Sequence, residues 1–293
     1  MVIKKFKKVH VEITNVCNLK CSFCPPKLLP NETMKLEKFD KLNEELKEVT
    51  KELAYHVVGD PLVLKNLKEY LDISLKHGLK VNIVTTANNI NEGFHEVLMH
   101  EAIRQINFSI NSYNANSHKK SLEEYLNPII DFTKYAIKRK QHFFINYRIW
   151  NLDESKSAKE FNSKVFNLLE QEFEVKLDLA SIYKEKPKNI KLERMIFINF
   201  DEYFNWPSLE NEFVSKEGTC YGLDSHFAIL SSGKVVPCCL DKDAVINLGD
   251  INNSSLKEIL SSKRVQEIQE GFKNGKVIEE FCQKCEYRTR FDK

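Results

Sequence analysis

The run Cys17-Asn18-Leu19-Lys20-Cys21-Ser22-Phe23-Cys24 sets three cysteines at C-x3-C-x2-C spacing, directly after an apolar-rich stretch from Val9 to Val16. Clusters this tight point to metal or redox chemistry rather than to free thiols that happen to be buried together. Cysteine thiolate is the usual ligand of cluster iron. A [4Fe-4S] cubane held by three thiolates leaves one iron open to a group that is not protein. An open coordination position separates a reactive metal site from a structural one.

The bulk composition bounds what can surround this loop. A chain of 293 residues holds one large domain, or one large and one small. Its 42% hydrophobic and 29% charged residues are those of an ordinary soluble globular protein. A net charge of +2 disfavours RNA slightly and excludes no partner. The lysines at 4, 5, 7 and 8, and at 184, 186, 188 and 191, read as solvated surface, since no dense block of like charge forms. Met1 to Lys8 is basic, but no signal-peptide apolar core follows. No apolar run is long enough to span a bilayer. The expectation is a cytoplasmic protein without membrane contact, whose eight cysteines serve metals rather than disulfides.

Periodicity lays out alternating strands and helices. Val9–Ile13 alternates as a first strand, and Pro25, Pro26 and Pro30 keep the following loop non-helical. Leu36, Phe39, Leu42, Leu46, Val49 and Leu53 recur at helical spacing. Tyr55–Val58 reads as a strand ending in Gly59-Asp60-Pro61. A helix from Leu64 to Leu75 stops at His77-Gly78. Strands over 81–85, 105–111 and 143–150 alternate with helices over 94–103, 122–140 and 158–173. Either Val175–Ala180 or Met195–Phe200 supplies a sixth strand. Such alternation implies a parallel sheet with right-handed crossovers, closed or open as an α/β barrel, with active groups on loops after the strand ends. Near Glu217 the rhythm changes. His226–Leu230, Ser231-Ser232-Gly233 and Lys234–Val236 read as a hairpin, and Ser255 with Glu258 has the form of a capping box.

The cysteine loop, with aromatic Phe23 before its third cysteine, resembles the signature of the radical S-adenosylmethionine (radical SAM) enzymes. The resemblance implies a partial (β/α)6-type TIM barrel over 1–216, with the open iron facing the amino and carboxylate groups of SAM. The family's Gly-Gly-Glu-like motif for the SAM amino group falls at Val58-Gly59-Asp60, where Val replaces one Gly and Asp replaces Glu. Read alone, Gly-Asp-Pro is an ordinary turn. Thr85-Thr86-Ala87-Asn88 looks like the family's third-strand stretch. Ser109 and Arg148 stand where SAM carboxylate or ribose contacts are expected, with Asn111 and Asn151 as weaker candidates. Each can equally be a satisfied polar residue on a loop.

Cys220, Cys238, Cys239, Cys282 and Cys285 remain. Two ligands at a hairpin and two at a C-x2-C knuckle suit a four-thiolate site, which zinc or an iron–sulfur cluster can fill. The order resembles the SPASM or shorter twitch domain of radical SAM enzymes. This implies a small C-terminal α+β domain over 217–293 with one auxiliary [4Fe-4S] cluster on Cys220, Cys238, Cys282 and Cys285. Cys239 is then the spare thiol.

By resemblance the cofactors are a SAM-binding [4Fe-4S] cluster, SAM and the auxiliary cluster, fed by an electron donor such as flavodoxin or ferredoxin. The expected reaction is hydrogen-atom abstraction from a small molecule or peptide, giving an oxidative modification or dehydrogenation. Radical modification of tRNA, or a non-catalytic iron–sulfur or zinc protein, is the competing reading. A proton must also leave the substrate, but no base is identified. Tyr183, Asp201 and Glu202 read as linker residues, and Trp206-Pro207 as cavity lining or interdomain packing.

Overall fold

Alternation within the first strand decides which way the sheet faces. In β1 (Lys8–Val11) Val9 and Val11 are fully buried, as is Ile13 just beyond, while Lys8, His10 and Glu12 take the opposite side. One face therefore packs under helices and the other lines the barrel interior with polar groups. The computed structural model describes residues 4–117, 120–152 and 156–291. In chain order β1 is followed by α1 (Leu36–Leu46), β2 (Glu52–Tyr55), α2 (Leu67–Lys76), β3 (Lys80–Thr85), α3 (His95–Leu98), β4 (Ile103–Ser109), α4 (Asn111–Asn114), α5 (Leu122–Lys138), β5 (Phe144–Ile149), α6 (Lys156–Phe173), α7 (Leu179–Glu185), β6 (Asn189–Glu193) and β7 (Ile196–Phe200). Then come β8 (His226–Ile229), β9 (Lys234–Val236), β10 (Gly249–Asp250), α8 (Leu256–Leu260), α9 (Lys263–Lys273) and α10 (Glu280–Gln283).

The strands form one sheet in the order β10-β9-β8-β1-β2-β3-β4-β5-β7-β6. β1 to β5 and β7 are parallel neighbours in sequence, the partial TIM barrel expected from the strand–helix alternation. Several interior polar residues hydrogen-bond one another. Asn82 donates to Glu52 at 2.6 Å, Gln105 to Asn107 at 2.8 Å, and Asn146 to Asn107 at 3.1 Å.

The C-terminal segment extends the barrel sheet. β8 pairs parallel with β1, Val9 opposite Phe227 and Val11 opposite Ile229, and the antiparallel β9 follows. Phe6 and Phe227 meet edge to face at 4.8 Å, and Val9, Val11, Phe227, Ile229 and Val235 belong to one apolar core, while Ala228, Leu230 and Val236 form a smaller cluster with Val57. The hairpin turns at Gly233, whose φ of +100° suits glycine. Ser255 and Glu258 form the capping box that opens α8.

Four local expectations change. α1 stops at Leu46: Glu52 N–H donates to Thr50 Oγ1 at 3.1 Å, a local bond that competes with helix. Val49 and Leu53 keep the helical period only because each is buried beyond the helix end. The second strand accordingly runs over Glu52–Tyr55 rather than 55–58. The expected helix over 94–103 shrinks to the single turn of α3, and Ile103 already opens β4. The last barrel strand is Ile196–Phe200, because Asp178 caps α7 through Ala180 and Ser181 N–H and takes 179–185 into helix. β6, antiparallel to β7, is an addition to the expected alternation.

Because β8 covers the β1 edge, residues 1–216 expressed alone are expected to lose fixed tertiary structure. Near-UV circular dichroism of that fragment should collapse and its sheet edge should aggregate; a fragment with native-like signal and solubility would contradict the shared core.

Candidate cluster-binding and substrate site

The three-cysteine loop leaves β1 and is held from three sides. Asn15 braces it from within: its Oδ1 accepts from Glu32 N–H at 2.8 Å and its Nδ2 donates to Pro30 O at 2.8 Å. From the β2 side, Gly59 lies against the backbone of Thr14 and Asn15. A Cβ on Gly59 would stand 1.9 Å from Thr14 O. From the β4 side, Ala115 O accepts from Ser22 N–H at 2.9 Å, and Asn116 both accepts from Lys20 N–H and donates to Cys21 Sγ at 3.0 Å. Asn116 was not legible in the sequence; a single polar residue after a strand carries no spacing signal.

Burial pushes the Cys21 thiol up to about 11; Asn116 pulls it back, while the Cys17 and Cys24 thiols push it further. All three cysteines sit on this one short loop, and burial raises each thiol. Burial also raises the Cys24 thiol, and Lys242 and Lys27 draw it back down. Among the described residues no three His, Cys, Asp or Glu side chains are gathered tightly enough to grip one metal ion. A cubane interposes irons and sulfides between its thiolates and asks for a wider set.

Asp60 is only 3% exposed and its carboxylate is fully engaged. Oδ1 accepts from Leu62 N–H and from Thr85 Oγ1 at 2.7 Å; Oδ2 accepts from Thr86 N–H and from Thr86 Oγ1 at 2.6 Å. Asp60 and Thr85 therefore tie the β2 and β3 ends together.

Ser109 and Arg148 are partners in the β4–β5 register. The Arg148 guanidinium lies 3.4 Å over the Trp150 ring and meets no carboxylate at ion-pair distance among the described residues. Burial draws its pKa down, while Tyr287, Cys239 and Asp201 pull it back up. A half-buried cation without a counter-charge at ion-pair distance suits an anion. Asn151, two residues beyond the same strand, is fully buried, and neither amide atom has a hydrogen-bond partner among the described residues.

In the second set, the thiols that act on Cys238 are, in order, Cys239, Cys220 and Cys282, and those that act on Cys282 are Cys220 and Cys285. Burial first, and these neighbours next, raise both thiols far above the ordinary range. A Cβ on Gly222 would sit 3.6 Å from Cys238 Cβ and 3.7 Å from Cys220 Sγ, so glycine leaves room between these two. Cys239 differs: burial raises it to about 11, and Lys8 and Arg148 of the barrel interior oppose that shift.

An open cleft of about 850 Å³ lies between the loop of the first set and residues 286–290, which follow Cys285. Phe23 and Cys24 line one wall, Tyr203 and Trp206 another, and Tyr287 and Arg290 the third. Phe23 stacks on Tyr203 at 5.2 Å. The residues weighed as bases are engaged elsewhere: Asp201 with Arg290 at 2.8 Å, Glu202 with Lys186, and Tyr183 with Asn162 at 2.8 Å.

Residues 11–159 match the Radical SAM superfamily. The chain belongs to the radical SAM superfamily. Residues 220–286 match SPASM, an iron–sulfur cluster-binding domain. No curated protein matches the sequence. Among solved structures, BtrN in complex with AdoMet and 2-DOIA superposes with TM-score 0.58 at 16% identity, over 97% of this chain and 94% of that one. Native anSMEcpe with bound AdoMet gives 0.58 at 15% identity, over 97% and 87%. Streptococcus suis SuiB bound to precursor peptide SuiA gives 0.61 at 15% identity, over 91% and 67%. At these identities the common property is the fold. A radical SAM domain with SPASM takes a [4Fe-4S] cluster, SAM and an auxiliary iron–sulfur cluster. Asn116 at Cys21 and the close approach at Gly59 are the kind of outer support that orients metal ligands in such sites. Among the described residues no helix is long and apolar enough to cross a membrane.

Gly59→Ala is expected to displace the Thr14–Asn15 backbone, at a cost near the top of the overpacking range, about 3 kcal/mol. Denaturant unfolding should show the loss, and reconstituted protein should carry less iron on the first cysteine set; unchanged stability would show that the approach is not needed.

Proposed function

We propose that this protein is a radical SAM enzyme that oxidises a small-molecule or peptide substrate by two electrons. The observation that carries the proposal is the cavity whose walls come from both cysteine segments: Phe23 and Cys24 on one side, Tyr287 and Arg290 just after Cys285 on the other. In this reading Cys17, Cys21 and Cys24 hold the SAM cluster, and Cys220, Cys238, Cys282 and Cys285 hold the auxiliary one. Bound there, the first cluster and SAM supply a 5′-deoxyadenosyl radical that takes a hydrogen atom from an unreactive C–H bond.

The chain's own residues orient and enclose. Arg148 and Ser109 receive the SAM carboxylate, and the backbone around Gly59 receives the amino group. Asp60, through Thr85 and Thr86, fixes the two strand ends that shape this pocket. Phe23, Tyr203 and Trp206 exclude water from the reacting carbon. The net change leaves one hydrogen atom on deoxyadenosine, while one electron and one proton depart from the substrate. A cluster held at the second cysteine set would supply the electron acceptor; Tyr287 and Arg290, which follow Cys285, line the same cleft. A low-potential one-electron carrier such as flavodoxin or ferredoxin is the proposed donor, and the cytoplasm the proposed compartment.

Anaerobic protein given dithionite and SAM is expected to release 5′-deoxyadenosine, and Cys17→Ala should abolish release. Iron-loaded wild type that forms none would overturn the proposal. Arg148→Gln removes a hydrogen bond to a charged group, so the SAM Kd should rise about 10- to 100-fold; an unchanged Kd in equilibrium dialysis would remove Arg148 from the SAM site.

A further inference from the structure

The auxiliary segment touches the SAM-cluster loop directly, just past its own cysteine pair. Lys242 lies three residues after Cys239, and its side chain is only 9% exposed. Its ammonium donates to Pro26 O at 2.7 Å, two residues beyond Cys24, and pairs with Asp243. Asp243 Oδ1 in turn accepts from Leu28 N–H at 3.2 Å. Asp241 holds the turn in place, taking Val245 and Ile246 N–H at 2.8 Å each. A nearly buried charge pair thus bridges the loop of the first cysteine set and the turn that follows Cys238 and Cys239. Loop packing alone does not need it: Lys27 already secures the same segment through Asn15 O and Asn31 Oδ1 at 2.8 Å each.

We propose that Lys242 and Asp243 are positioning residues by which the auxiliary segment sets the reduction potential of the cluster held at Cys17, Cys21 and Cys24. The proposal rests on the ligand set proposed above. Adding one electron to a cluster makes it more negative. A nearby ammonium favours the reduced form and a nearby carboxylate opposes it, and partial burial keeps both effects from being screened. The pair is therefore a fine balance, and breaking it from either side moves the potential in opposite directions.

The test is a dithionite redox titration of full-length reconstituted protein, read by electron paramagnetic resonance of the first cluster, with iron counted on every sample. Lys242→Met leaves Asp243 uncompensated and should lower the reduced fraction at fixed potential about tenfold, a downward shift of about 59 mV for one electron. Asp243→Asn should shift it upward, and Lys242→Arg should stay near wild type. Coincident midpoints, or a shift in the same direction for Lys242→Met and Asp243→Asn, would overturn the proposal. Loss of the first cluster in Lys242→Met but not Lys242→Arg, with no upward shift in Asp243→Asn, would also overturn it, leaving a purely structural role. Failure of the ligand set itself reads differently: wild type would then show no first-cluster signal to titrate.

Discussion

Glu12, one residue beyond β1, is 1% exposed. Its carboxyl accepts from Val58 N–H at 3.2 Å on the β2 side, and from Ser231 N–H and Oγ at 3.2 and 3.0 Å on the β8–β9 turn. Burial raises its pKa, and those three hydrogen bonds restrain the rise. This one side chain joins the ends of three elements at the point where the cysteine loop begins. The loop has no regular structure of its own, so its shape is inherited from what surrounds β1: the Gly59 contact, the Asn116 contact and the Lys242–Asp243 bridge. Leaving a buried acceptor or donor without its partner costs more than the bond contributes, which is why so much of this corner is fixed by side-chain to backbone bonds.

The barrel interior carries an excess of positive charge. His10 stands between His56 and His226, with ring centroids 5.8 and 5.6 Å away. Burial holds His56 down to about 3 and His226 to about 4, and Lys8 and Arg148 reinforce the effect on His56. Neutral imidazoles line this part of the wall, so Arg148 and Lys8 carry the positive charge that acts on them. The field inside the barrel therefore favours a carboxylate at the level of Arg148. Ser109 reaches the same level through its register with Arg148.

Some of this was legible from residues alone. The Cys17–Cys24 spacing, the Ser255 capping box and the Gly233 turn are local codes, and each needs only neighbours in sequence. The pairing of β8 with β1 joins residues more than two hundred positions apart, and no periodicity announces it. Val49 and Leu53 continue a helical pattern because the pattern reports burial, not helix. Asp60 reads as a ligand for an ammonium because its neighbours Thr85 and Thr86 are separate in sequence; the fold gives them its carboxylate. Asn116 and Lys242 are single polar residues in loops, and only three-dimensional proximity gives them meaning.

Two separate cysteine sets, each able to hold a cluster, flank one continuous sheet. Iron and sulfide per chain, after anaerobic reconstitution of wild type and of the Cys17→Ala/Cys21→Ala/Cys24→Ala chain, tests this most directly. The account predicts about eight irons in wild type and about four in the triple variant, the remainder on Cys220, Cys238, Cys282 and Cys285. About four irons in wild type falling to none, with zinc held by the C-terminal cysteines, would contradict it.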